Sequence, residues 1–506
     1  MKIIENFKEG VRNSMREFLQ IEDNNSTSFN IKEEMNEETW LFKNEILYRQ
    51  KPSELSEFYK NINLHDNNFW SCVPSKGMGT IKLCSSIPKI LVDVMANMIT
   101  RDLNSIVTDE EYQDLVDETL KENEFKKMVN NSLKQALSQG DGVFTFIIDK
   151  EISQYPILRF YPAKQVKFRK KYGRIIEIIT TDVINYNTHK YYLKTKYGFG
   201  YIRYNLVDGY GKDCSNLLSV IEETEYLQND ETLPKNVILA IPFFPLGYSS
   251  IYTNRGKSLY EGKDCIYFTL DEILSNWASA IRKSQAYKTI DKKSIPVNPE
   301  TGEPIYSSND FDNIFIEIDT PRSENNHSRP IEIYQPEIPS ENYKAAYSTF
   351  LDLALAGDES ASTLGIDSDK INANATAERE REKSTMYMRN MIIESLTETL
   401  EKLINMIVNV QNLWDGNNNN IDVNVEVNFN DYNSPSWETQ ATILISMYKN
   451  GIISLESVIE ELYGDDKDAD WKKEELERIL KDNNINKNIE QEEVEDDKEL
   501  QYNNKQ

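Results

Sequence analysis

Between Asn374 and Leu413, the residues Ile393, Leu396, Leu400, Leu403 and Ile407 alternate three and four apart, the spacing of one apolar seam along an α-helix. At about 1.5 Å per residue this helix is a rod of about 60 Å. Average globular helices span only ~10–14 residues. Such a rod reads as a spine for other elements, with one partner of a coiled coil as the alternative.

The chain has 506 residues, more than the ~250–300 that one hydrophobic core organises, so several compact units are expected. Apolar residues (39%), with 28 Tyr and 19 Phe among them, supply enough core material to argue against wholesale disorder. Asp and Glu total 84 against 57 Lys and Arg, a net charge of −27. A surface of that sign repels nucleic acid and anionic lipid, which weighs against a tight DNA clamp or a membrane-surface protein. Its simplest consequence is solubility.

Cys72, Cys84, Cys214 and Cys265 lie far apart, without zinc-site spacing or the density of a disulfide scaffold, and fit a reducing compartment. At the N-terminus Ile4, Phe7, Val11, Met15, Phe18 and Leu19 recur at helical intervals broken by charge, an amphipathic helix rather than an export signal. The longest apolar run, VILAIPFFPLG, is interrupted by Pro242 and Pro245 and is too short to cross ~30 Å of hydrocarbon. A soluble protein without membrane contact is expected.

Helical patterns continue to about Arg101. They include IPKILVDVMANMI, with Ile87, Ile90, Leu91, Val94, Met95 and Met98 on one face. From about Gly140 the period changes to two, and GVFTFIID, YPILRFYPAKQVKF, GRIIEIITTDV and HKYYLKTKYGFGYIRYNLVDG predict an antiparallel sheet. From Gly262 to about Ser284 a helix returns, with Ile266, Leu270, Leu274, Trp277 and Ile281 on its stripe and the small residues Ser275, Ala278 and Ser279 beside them.

IDKKSIPVNPETGEPIYSSND is turn-rich, and FIEI and RPIEIY read as short strands of a small β unit. Ser340 can cap a helix with Tyr343, Tyr347, Phe350, Leu351 and Ala354 on one side, ending at Gly357. GDESASTLGIDSDKINA, small and polar, predicts an exposed mobile loop before the long helix. Beyond it DGNNNN is a loop, and IDVNVEVNF alternates as a strand that must pair with a sheet built earlier in the chain. Two helices follow around Gly451, with Ser454 as a cap, then at most one more at WKKEELERIL before an acidic, amide-rich tail.

The phosphate cradle of an ATP-driven motor is missing: SKGMGT lacks the spacing, and Gly77 and Gly79 read as turn residues. His65, His189 and His327 have no second ligand nearby in sequence, and no metal site is expected. Carboxylates are abundant enough to hide a nuclease or glycosidase pair, since such pairs are defined by distance in space.

Three stretches carry a family resemblance: GKSLYEGKDCIYFTLDEILSNWASAIRKSQ, ASTLGIDSDKINANATAEREREKSTMYMRNMI and NGIISLESVIEEL. Their order along one chain resembles the portal proteins of tailed bacteriophages, of the Gram-positive siphophage or myophage type. The resemblance implies an α+β portal fold. Its wing would be residues 1–261 with a return strand at 418–434, its stem helices 262–288 and 339–356, and its β clip 289–338. The tunnel loop would be 357–373, the spine helix 374–413, the α-helical crown 435–480, and the acidic flexible tail 481–506.

It also implies a non-enzymatic, cofactor-free subunit of a dodecameric ring at the portal vertex of the virion, assembled in the host cytoplasm. Double-stranded DNA would pass through the ring during packaging and ejection. The terminase large subunit and then a head-completion adaptor would dock on the clip, and major capsid and scaffolding proteins on the wing. Asp358, Glu359, Ser360, Ala361, Ser362, Thr363, Leu364, Gly365 and Ile366 would form the tunnel loop that meets DNA. Arg282, Lys283, Lys292 and Lys293 would meet DNA phosphates or acidic partners, with solvated surface charge as the alternative. Ile266, Leu270, Leu274, Trp277, Ile281, Tyr347 and Phe350 would pack the stem. The rival readings are another head-to-tail connector ring and a phage-encoded carboxylate nuclease or glycosidase.

Overall fold

The structure, a computed structural model, describes residues 35–481 except 63–68, 73–80, 148, 150–151, 223, 226, 228–229, 235–236, 285–286, 292–296, 303–313, 319–330, 357–374, 417–420, 431–436 and 464–470. The segments predicted as the N-terminal helix, the SKGMGT turn, the mobile loop and the acidic tail beyond Lys481 therefore lie outside the described residues. The described chain mixes helix and sheet. It divides into two compact units, Met1–Arg101 with Ser105–Val427, and Asp102–Asn104 with Asn428–Gln506.

The larger unit begins with helices α1 (Glu37–Arg49), α2 (Pro52–Asn61) and α3 (Ile87–Asp102). Asn36 caps α1 by accepting the Thr39 N–H at 2.8 Å, and Pro52 starts α2 where a missing N–H costs nothing. Along α3, Ile87, Leu91, Val92, Met95, Ala96 and Ile99 are buried, while Ile90, Val94 and Met98 are only partly covered. The buried face is thus rotated from the predicted one, toward the side carrying the small Ala96.

Strand β1 (Leu103–Val107) and helices α4 (Glu110–Glu122) and α5 (Phe125–Gln139) follow. They lead into β2 (Gly142–Ile147), β3 (Ile157–Pro162), β4 (Val166–Lys171), β5 (Arg174–Tyr186), β6 (His189–Gly198), β7 (Tyr201–Asp208), β8 (Asp230–Thr232) and β9 (Ala240–Phe243). The period-two segments are strands, but they build two antiparallel sheets instead of one: β3-β2-β9 and β4-β5-β6-β7-β8. The divide falls in YPILRFYPAKQVKF, where Pro162 lacks a ladder donor and Ala163–Gln165 makes a 3-10 turn that redirects the chain from β3 to β4.

A buried ion-pair node joins distant segments of this unit. Arg255, 3% exposed, donates through Nε to Glu37 (2.7 Å), through one terminal nitrogen to Asp141 (3.2 Å) and through the other to the Val166 carbonyl (2.6 Å). The other Asp141 oxygen accepts the Gly256 N–H at 2.8 Å. Two glycines allow this approach: a Cβ on Gly256 would stand 2.0 Å from the Gly140 carbonyl oxygen, and Gly140 itself has φ +107°.

Helix α6 (Asp264–Lys283) is followed by β10 (Tyr287–Asp291), β11 (Ile314–Ile318) and β12 (Ile331–Tyr334), then α7 (Ser340–Leu355) and α8 (Ala375–Trp414). The small sheet has β10 at its centre, parallel to β11 and antiparallel to β12. The central strand was not anticipated, because YKTID is bounded by no strong turn signal on its N-terminal side. Ser340 is the first residue of α7 and not its cap; Pro339 occupies the cap position without a side-chain bond.

The 40-residue α8 contains no Gly or Pro. It buries Ile392, Leu396, Leu400, Leu403, Ile404, Ile407 and Val408 completely, each at roughly 1.5–3 kcal/mol for a full side chain. Only Glu426–Phe429 of the predicted return strand forms a strand, β13, which pairs with β1. The preceding residues are held by α8: Asn409 exchanges two 2.8 Å bonds with the Ile421 backbone, and Asn405 accepts the Val423 N–H at 2.7 Å. Side-chain amides on the helix thus take the place of a ladder partner.

In the smaller unit α9 (Trp437–Lys449) and α10 (Leu455–Tyr463) pack together. Gly451 between them has φ +71°, and the Ser454 hydroxyl caps α10 by accepting the Ser457 N–H at 3.1 Å, as the sequence predicts. Residues 471–481 form a further helix.

Candidate functional site

The predicted stem residues and the small sheet between them are contiguous in sequence, and the two helices lie antiparallel. Near the start of α6, Lys263 donates from Nζ to the Ala354 and Ala356 carbonyls at the end of α7, at 2.8 and 3.2 Å. A cation there satisfies otherwise unbonded carbonyls and opposes the negative helix end. Toward the other end of the pair, Trp277 of α6 stacks on Tyr343 in the first turn of α7. The helices are therefore tied at both ends, and the three-stranded sheet occupies the excursion between them.

Burial along α6 centres on Tyr267, Leu270, Asp271 and Ser275. Of the stripe read from sequence, Leu270 is buried, Ile266, Leu274 and Trp277 are half-buried, and Ile281 is exposed. On α7, Tyr347 and Phe350 are half-buried. The core-facing side is offset because polar groups occupy it and find partners there.

Asp271, 1% exposed, accepts the Ser85 N–H at 2.6 Å. Ser275 donates to the Asp271 carbonyl at 2.6 Å while its oxygen accepts the Leu83 N–H at 2.9 Å. Residues 83–85, which lack strand partners, are thereby bonded along α6. Burial pushes the Asp271 carboxyl up to about 6, against the lowering effect of hydrogen bonds from Ser85 and Trp70. The same burial, with Asp271 nearby, pushes the Cys84 thiol up to about 12. Tyr347 is also raised, by burial first and then by the Asp271 charge, which places α7 within reach of this carboxylate. Lys43 forms an ion pair with Asp264 in the first turn of α6.

Asp271 and Ser275 were not singled out from sequence as functional positions. The available signal was a carboxylate and a hydroxyl four residues apart, directly beside Leu270 and Leu274 on a helix whose other charges avoid the apolar stripe.

Arg282 is exposed in the last turn of α6, and Lys283 ends that helix. Lys292, Lys293 and the segment Asp358 to Ile366 lie outside the described residues. The four cysteines are free thiols. Among the described residues no cluster of three or more His, Cys, Asp or Glu could hold a metal ion, and no helix is long and apolar enough to cross a membrane. Chemically, the arrangement is a braced helical hairpin that carries a small sheet.

No protein-family model matches the chain, and no curated protein matches it. Among solved structures, the chain is similar to one from the virion of a native gene transfer agent particle, at 10% identity and a TM-score of 0.35, covering 74% of this chain and 89% of the other. A chain from the neck of that native particle, computed with C12 symmetry, gives the same values. One from the neck of the empty particle, computed with C6 symmetry, gives 12% identity and a TM-score of 0.37 with the same coverage. At such TM-scores the functional reading has to stand on this chain's own residues and geometry.

Proposed function

We propose that this protein is a portal subunit of a tailed phage: a ring-forming, non-enzymatic conduit for double-stranded DNA at one capsid vertex. The observation that carries the reading is the run of elements α6, three-stranded sheet, α7 and α8. In it a braced antiparallel helix pair brackets a small β unit and is followed by a 40-residue rod. That order agrees with the stem, clip, stem and spine implied by the three sequence stretches.

In this reading twelve copies form the ring, and residues 358–366 border the tunnel and touch DNA. Arg282, Lys283, Lys292 and Lys293 meet phosphates or acidic partners near the clip. The terminase large subunit and later a head-completion adaptor dock there, while capsid and scaffolding proteins meet the wing. The net charge of −27 suits a conduit: a basic channel would hold duplex DNA through counterion release, whereas an acidic one lets it slide.

Negative-stain electron microscopy of the purified full chain, with particle mass measured in parallel, tests the proposal. Rings of about a dozen subunits around a channel support it. A monomer or compact dimer at all protein and salt concentrations overturns it and directs attention to nuclease or glycosidase assays.

A further inference from the structure

The five-stranded sheet carries a feature at odds with the acidity of the chain. One face, with Val166, Ile178, Thr180, Thr195, Ile202 and Leu206, is buried. On the opposite face the register sets Lys167, Ile179 and Lys196 side by side on three adjacent strands, with Thr181, Lys194 and Asn205 as the next row. These residues line a cleft of about 660 Å³, within the range of ligand and short-peptide sites.

The charges of this cleft are unequally used. Lys167 is paired with Glu38 at 2.8 Å, and the neighbouring Lys164 with Glu45 at 2.8 Å. Arg255, at the back, is occupied by Glu37, Asp141 and Val166. Lys194 and Lys196 have no ion-pair or hydrogen-bond partner among the described residues, although the chain has a large excess of carboxylates. They are two residues apart on one strand, hence about 6.6 Å apart along it.

We infer that this cleft binds an extended acidic polypeptide segment supplied in trans, its alternate carboxylates meeting Lys194 and Lys196. An extended segment running along β6 repeats its side chains on one face with the same two-residue period. Ile179 and Val207 offer apolar contacts for uncharged side chains between the acids, and Thr181 and Asn205 offer neutral hydrogen bonds. A nucleic-acid strand fits less well: sites for single strands stack successive bases on aromatic platforms, and Tyr192 is the one aromatic residue lining the cleft. The cleft volume is also too small to admit a duplex.

The chain's own Glu493, Glu495, Asp497 and Glu499 spell the required alternation, so a peptide of residues 489–500 is a suitable probe. Its binding is measured by fluorescence anisotropy to two full-length proteins. One is wild type; the other carries Glu490→Gln, Glu492→Gln, Glu493→Gln, Glu495→Gln, Asp496→Asn, Asp497→Asn and Glu499→Gln, so that the acids of residues 489–500 cannot compete. Saturable binding to the latter is expected, at least tenfold weaker after Lys194→Glu with Lys196→Glu. It should be unchanged after Lys89→Glu with Lys126→Glu, two exposed lysines away from the cleft. Failure of the probe to bind the tail-neutralised chain overturns the inference, as does equal binding by the cleft variant or tighter binding of a single-stranded oligonucleotide of equal charge. Circular dichroism of each variant separates lost binding from lost folding. None of these outcomes depends on whether the protein forms rings.

Discussion

The rings of Trp277 and Tyr343 stack with centroids 6.1 Å apart and planes within 5° of parallel, closing the end of the α6–α7 pair from which the small sheet departs. Trp277→Ala and Tyr343→Ala should each destabilise the chain. Because aromatic pairs contribute about 1 kcal/mol beyond their buried area, a double-mutant cycle should return a coupling of that order. Denaturant unfolding of the four proteins provides the check, and additive effects would show that the stack contributes nothing of its own.

Asp271 should make stability fall as pH rises. Its carboxyl is held at about 6 in the folded chain against an ordinary 3.8, so folding favours the protonated form. Below about pH 4 both states are protonated and no penalty exists. Between about 4 and about 6 the unfolded chain gives up its proton first, and above about 6 the penalty is constant, on the order of 3 kcal/mol. Asp271→Asn keeps an oxygen for the Ser85 N–H and removes the ionisation. The variant should match wild type near pH 4 and exceed it by about 2–3 kcal/mol near pH 7.5, read by urea unfolding across pH.

Arg255→Met should cost about 3–5 kcal/mol, since the fully buried Asp141 carboxyl, which burial already raises above its ordinary range, loses its cationic partner and keeps only the Gly256 N–H. Adding Asp141→Asn should restore part of that loss. Unfolding midpoints of the single and double variants test the pairing directly.

On the proposed portal reading, ring assembly should depend on ionic strength. Many copies of a −27 subunit repel one another, and the repulsion is screened beyond about 10 Å at 0.1 M salt. Sedimentation velocity across salt and divalent-cation series should show rings favoured by screening. Constant ring yield over a wide range would remove charge repulsion as a control on assembly.

On the same reading, deleting Ser360 to Thr363 should leave oligomerisation intact while reducing DNA packaging or retention. Normal packaging by the deletion variant would remove residues 358–366 from any role in handling DNA.

Several elements were legible because local pattern alone specifies them. The α8 seam, the period-two strands and the Ser454 cap depend on spacing within a few residues, and the structure has them close to the expected places. The division of the strands into two sheets was less visible, because a proline and one 3-10 turn decide whether β4 continues with β3 or leaves it. The return segment was misread as strand throughout because alternation does not reveal that Asn405 and Asn409 of a helix will bond its backbone.

Sequence by itself determined the mixed helix and strand content, the long rod, the excess of acid and the order of segments on which the portal reading stands. These depend on periodicity and composition, which need no knowledge of distant contacts. Only the tertiary structure decided that Asp271 is buried beside Ser85, that Arg255 joins Glu37 to Asp141, and that Lys194 and Lys196 share a cleft without partners among the described residues. The three contacts behind the first two of these span 186, 218 and 114 positions along the chain. A charge far away in sequence acts on a carboxylate only once folding has removed the water between them, so neither the pairing nor its energy can be read from either residue alone.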